Sequence, residues 1–161
     1  MMLTRFSGVL SGAALGLALV AAGCGGGGSS TPSSPSSPST PAPTPANLSG
    51  SWSGTATDSS GAGLMTWVLT QSGTSFSGTL AMTDNGSGTK GNGTVSGTVS
   101  GSTVSFTIAV PAGGFNGAFT ACSASASGQG TVSGASIGGS YTGTNSCSGA
   151  ISSGTVTLSK Q

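Results

Sequence analysis

The chain reads as an all-β protein, an antiparallel up-and-down meander closing into a roughly eight-stranded barrel behind an export signal and a disordered tether. Apolar residues recur at every second position: Val104, Phe106, Ile108 and Val110 alternate with Thr103, Ser105, Thr107 and Ala109. That period of two gives a strand one apolar and one hydroxylated face. Turn chemistry returns at close intervals in Ser72-Gly73, Asp84-Asn85-Gly86, Ser100-Gly101, Ser133-Gly134 and Asn145, because Gly and Asn accept positive φ. No window has helical spacing.

Residues 1–23 have the parts of a secretory signal: a short start with Arg5, an apolar stretch from Phe6 to Val20, and small residues Ala22 and Gly23 before Cys24. The alternatives are an uncleaved transmembrane helix or an ordinary signal peptide with an incidental cysteine. The run is short for a bilayer span and broken by Gly8, Gly12 and Gly16. Residues 24–46 follow as a tether of four glycines and then Ser, Thr and six of the seven prolines. With almost nothing apolar to bury, this tract is expected to stay unfolded. Its prolines favour extended conformations of about 3 Å per residue. The tract is a spacer or, alternatively, a Pro-rich ligand, although it lacks the basic residues that orient such ligands.

The folded domain spans 47–161. Its expected strands lie near 50–57, 64–71, 74–82, 92–99, 102–110, 117–127, 129–143 with a break near Gly134, and 153–160. The alternation shows again in Phe76, Gly78, Leu80 and Met82, around Val95 and Val99, and in Val156 and Leu158. Curling into a barrel covers the apolar face and removes exposed edges. Gly-Thr-Val-Ser-Gly occurs at both 93–97 and 130–134, a hint of a β-solenoid, but the spacing does not continue as a regular repeat. Strand glycines such as Gly54, Gly78, Gly97 and Gly139 fit barrel corners.

Charge is scarce. Charged residues make up 3% of the chain and there is no histidine. Beyond the signal, Asp58 and Asp84 balance Lys90 and Lys160. No basic face exists to neutralise phosphates, which excludes nucleic acid as a partner. Catalysis is not expected. No histidine serves as base, and the serines have nothing to activate them. Asp58 and Asp84, the only candidates for a carboxylate pair, read as solvated turn residues. Asp84-Asn85-Gly86-Ser87 is like the start of a Ca²⁺ loop without its later acidic ligands. No metal site and no cofactor are expected. Cys122 and Cys147, exported to an oxidising compartment, are expected to form a disulfide between the strand near Cys122 and the loop before the last strand.

Leu19-Val20-Ala21-Ala22-Gly23-Cys24 resembles the cleavage box of bacterial lipoproteins, with Ala21 where that family usually has Leu. The resemblance implies cleavage before Cys24, acylation of its thiol, and attachment to the membrane through an N-terminal lipid. Gly25 in place of Asp resembles lipoproteins sorted to the outer membrane. Gly50-Ser51-Trp52 resembles the Gly-x-Trp opening of the calycin barrels, which include lipocalins and avidin-like proteins. That resemblance implies that Trp52 closes one barrel end with Lys160 packed over it. It does not extend to a biotin site, since no Asp or Glu follows Asp84.

Two roles follow. In the first, the barrel is a structural or interaction module at the cell envelope whose hydroxylated exterior meets glycans, envelope proteins or neighbouring copies. In the second, it takes a small apolar or amphipathic ligand lined by Trp67, Phe76, Phe106, Phe119 and Tyr141, with Trp52 at the end. The favoured reading of the same aromatics is that they simply fill the core, as side chains usually do in a small barrel.

Overall fold

The protein is described by a computed structural model over Pro41 and residues 43–161. The expected signal, the expected lipidation residue Cys24 and most of the tether lie outside the described residues. Eight strands follow in order: β1 (Gly50–Asp58), β2 (Gly61–Ser72), β3 (Ser75–Asp84), β4 (Lys90–Ser100), β5 (Thr103–Val110), β6 (Ala124–Ser133), β7 (Ser136–Asn145) and β8 (Gly149–Lys160). Each pairs antiparallel with the next, and β8 returns to β1 to close the barrel. The expected up-and-down barrel is therefore the fold.

Two expected strands are corrected. Residues 117–123 are not strand: Gly117–Phe119 forms one 3₁₀ turn in a long loop, and Cys122 lies before β6 rather than on it. The expected strand 129–143 is two strands, turned at Gly134, whose φ is +57°. The inward positions of β6 are Ala124, Ala126, Gly128, Gly130 and Val132, so only its last inward residue is large and the rest of its alternation carries little hydrophobic contrast.

The inward rows fill the barrel and the outward rows are hydroxyls. Trp52, Trp67, Leu80, Val104, Ile137 and Leu158 are fully buried. Outward, Ser53, Thr55 and Thr57 of β1 stand beside Ser159, Thr157 and Thr155 of β8, and the other strands continue the pattern. Leu64 and Val68 are the large apolar side chains exposed on the strands. A membrane-spanning barrel has the opposite polarity, with an apolar outer band.

The inward glycines have a packing role. Around six consecutive strands the register alternates aromatic and glycine: Phe76 against Gly97, Gly97 against Phe106, Phe106 against Gly128, Gly128 against Tyr141, and Tyr141 against Gly154. Each ring lies over a neighbouring glycine. A Cβ at Gly97 would come within 2.7 Å of Phe76 Cζ, one at Gly128 within 2.5 Å of Phe106 Cζ, and one at Gly154 within 2.6 Å of the Tyr141 ring. A small-bore barrel has no room for two large side chains facing each other, so glycine supplies the floor on which the next strand's ring lies.

The two ends differ. At one, β2–β3, β4–β5 and β6–β7 are joined by two-residue turns, and the entering chain forms a plug. Leu48 is fully buried there, and the Trp52 indole N–H donates to its carbonyl at 2.7 Å. Gln71 Oε1 accepts from the Leu48 N–H at 2.6 Å, while its Nε2 donates to the Ala46 carbonyl at 3.0 Å. Lys160 Nζ sits 5.4 Å from the centre of the Trp52 ring, a cation–π contact that closes this end. At the other end β1–β2 is again a two-residue turn, but the remaining connections are longer, and the 111–123 loop folds over the opening. Cys122 of that loop and Cys147 of the β7–β8 turn are joined in a disulfide, with Cα atoms 5.6 Å apart. Closing a loop of this length contributes about 3 kcal/mol in the chain-entropy view.

Candidate functional site

The opening opposite Trp52 contains a cavity of about 330 Å³. That volume falls at the small end of ligand sites. Its walls are Met65, Met82, Ile108, Val110, Ala126 and Ile151, and Phe115 and Phe119 overhang it from the 111–123 loop. Phe115 is 8% exposed and packs against Gly91, whereas Phe119 is 45% exposed at the rim. The disulfide holds this loop to the β7–β8 turn, so it also fixes the roof of the cavity.

Of the aromatics expected to line a ligand space, Phe119 and Tyr141 border this cavity. Trp67, Phe76 and Phe106 lie in the filled interior. Trp67 meets Phe106 edge to face, with ring centres 5.2 Å apart, and its indole N–H finds no acceptor. The barrel is thus packed in its lower part and open in its upper part. A shallow hollow of about 300 Å³ lies on the rim beside it, bordered by Ser123, Ser125, Thr144, Asn145 and Ser146.

The polar groups of the mouth come from residues that the sequence reading had placed in solvated turns. Asp58 continues the inward row of Trp52, Gly54 and Ala56, and Asp84 continues that of Leu80 and Met82. Counting parity past the last apolar residue of each strand would have found both. The Tyr141 hydroxyl donates to Asp58 Oδ2 at 2.7 Å, and the backbone N–H and hydroxyl of Ser60 both donate to Oδ1. Asp84 Oδ1 accepts from the Ser87 N–H at 2.6 Å and from its hydroxyl at 2.7 Å. These donors hold the Asp84 carboxyl below its ordinary value, the Ser87 backbone N–H first. Asp84 is therefore an anion at neutral pH.

Tyr141 is shifted the other way. Burial, and then the hydrogen bond to Asp58, raise its hydroxyl well above the ordinary tyrosine value of 10.0. The fold favours the neutral phenol, so this stabilisation is present below pH 10 and is lost as pH rises past it. Tyr141→Phe is expected to cost about 1–2 kcal/mol at neutral pH and to flatten the fall in unfolding midpoint above pH 10. Because Tyr141 is the single tyrosine of the chain, alkaline titration of its absorbance reads the same shift directly. A titration near the ordinary value would contradict the contact.

Among the described residues no group of three or more His, Cys, Asp or Glu side chains is placed to hold a metal ion. Comparison with protein-family models, with curated proteins and with solved structures finds no match for the chain.

Proposed function

We propose that the chain is a lipid-anchored envelope protein, tethered through Cys24 and sorted to the outer membrane, whose barrel is a non-catalytic binding module for a small amphipathic ligand. The observation that supports binding over a purely structural role is the 330 Å³ space with apolar walls and a polar rim. A purely structural barrel of this size gains by filling its interior with side chains. The lower half does so, and the mouth does not.

The anchor rests on the cleavage-box resemblance at Cys24. Orientation adds to it: the described chain enters at the closed end, where the Ala46 N–H donates to the Gly101 carbonyl at 2.8 Å. The mouth lies at the opposite end of the barrel from this attachment. The absence of catalysis is supported by a sequence with no histidine and by an Asp84 carboxyl shifted away from what a general acid needs.

Mass spectrometry of the chain extracted from the envelope tests both parts. Denatured, its N-terminus is expected to be Cys24 carrying diacylglycerol and acyl masses. Under native conditions a small non-covalent adduct is expected, lost on denaturing. An unmodified Cys24 would remove the anchor. A bare chain, even after incubation with envelope extract, would remove the cargo and leave the structural role.

A further inference from the structure

We infer that the ligand of the mouth is an amphipathic cation, a small organic ammonium whose apolar part enters the cavity while its charge sits between Asp58 and Asp84. This rests on the binding reading above and specifies the chemistry of that same site.

The two signs of charge in the folded unit face different ways at the mouth, the carboxylates inward and Lys90, paired across the sheet with Thr83, outward at the same end. Asp58 and Asp84, its only acidic side chains, both border the cavity. Lys160 is committed to the Trp52 ring at the closed end, and Lys90 begins β4 on its exposed, outward row. Among the described residues, the hydrogen-bond partners of the two carboxylates are serine and tyrosine donors, and all are neutral. Asp84 Oδ2 accepts none of these bonds. Among the described residues, two negative charges thus stand over an apolar hollow with no cation among their hydrogen-bond partners.

Glycine keeps the space between them open. Asp58 pairs across the sheet with Gly61, and Asp84 pairs with Gly63 on the same strand, β2. Gly61 has φ +146°, and a Cβ there would lie 3.2 Å from Asp84 Oδ2. A side chain at this inward position would occupy the gap between the carboxylates. With β2 between them, their strands lie about 9–10 Å apart, and among the described residues no third His, Cys, Asp or Glu joins them to complete a metal site. An ammonium head with an attached apolar chain suits the geometry better. Its hydrogens reach the carboxylate oxygens, and the chain covers Met65, Met82, Ile108 and Ile151. At about 30 Å³ per water-sized group, the volume takes a ligand of roughly ten non-hydrogen atoms.

The test uses three eight-carbon probes differing only in head group, titrated calorimetrically into the full-length Cys24→Ser chain, which carries no lipid. Octylammonium is expected to bind about tenfold more tightly than octanol, and octanoate more weakly than octanol. In Asp58→Asn/Asp84→Asn the preference for ammonium over alcohol is expected to fall below about twofold, with octanol affinity and the unfolding midpoint reporting that the barrel is intact. Asp84→Asn alone, which leaves the Asp58–Tyr141 pair in place, is expected to remove about threefold and serves if the double variant does not fold. Octanol binding as well as octylammonium, or a preference that survives both variants, would overturn the inference while leaving the cargo reading standing. Binding of none of the three probes would overturn both.

Discussion

Gly97→Val is expected to prevent the barrel from forming, while Gly138→Val, also in a strand, leaves it almost unchanged. Gly97 is the inward residue of β4 that faces Phe76 on one side and Phe106 on the other. A Cβ there meets the Ser105 carbonyl oxygen, and lies 2.7 Å from Phe76 Cζ and 2.9 Å from Phe106 Cα. Two of these three atoms are main chain of the paired strand, so no rotamer change relieves the contact. Ordinary overpacking costs about 1–3 kcal/mol. Here β4 and β5 must separate, or two rings must leave the belt, and a loss beyond that range is a large share of a stability of about 5–15 kcal/mol. Gly138 lies on the outward row of β7, with no atom within 4 Å of its would-be Cβ. Valine there is expected to change stability by no more than about 0.5 kcal/mol. Circular dichroism and urea unfolding of the two variants side by side check this. A folded Gly97→Val barrel of normal stability would mean that the aromatic–glycine belt is not what sets the bore.

The belt also shows what was legible in the sequence and what was not. β5 was plain, because Val104, Phe106, Ile108 and Val110 are all large and all inward. β6 was misplaced because all its inward residues before Val132 are small. Gly128 has no hydrophobic signal of its own, since the rings covering it belong to Phe106 of β5 and Tyr141 of β7. A strand whose face is completed by its neighbours cannot be recognised from its own residues. The repeated Gly-Thr-Val-Ser-Gly makes the same point. In β4 its last glycine lies beneath the Phe76 ring, whereas in β6 the corresponding Gly134 has φ +57° and turns the chain. Identical local sequence takes opposite roles according to what the next strand supplies. The disulfide and the Trp52–Lys160 contact were legible, the first from the cysteine count and the expected compartment, the second from a family resemblance. The mouth was not, because Asp58 and Asp84 each sit beside turn residues and their inward parity appears only when the whole strand is counted.

Trp52→Ala is expected to cost about 4 kcal/mol, and Trp52→Phe only about 1–2 kcal/mol, with ligand affinity at the mouth unchanged in the phenylalanine variant. Trp52 is completely buried, and removing a ring of that size from a packed interior costs about 3–5 kcal/mol. The indole N–H satisfies the buried Leu48 carbonyl, so both variants leave that acceptor unpaired, a further cost of about 1 kcal/mol at the low end for a buried group. Phenylalanine keeps most of the apolar contact and a face for the Lys160 ammonium. Urea midpoints of the two variants separate the contribution of the ring from that of its N–H. The affinity measurement asks whether the closed end acts only as a stabiliser. Trp52 is near the start of β1 and Asp58 ends it, so the plug and the carboxylate rim occupy opposite ends of one strand. If the packed lower half merely holds eight strands in register, loss of the indole lowers stability and leaves the mouth as it was. If octylammonium binding weakens in step with stability, the cavity is held open by the whole barrel. The cost of that open, apolar mouth is then offset by the plug at the other end.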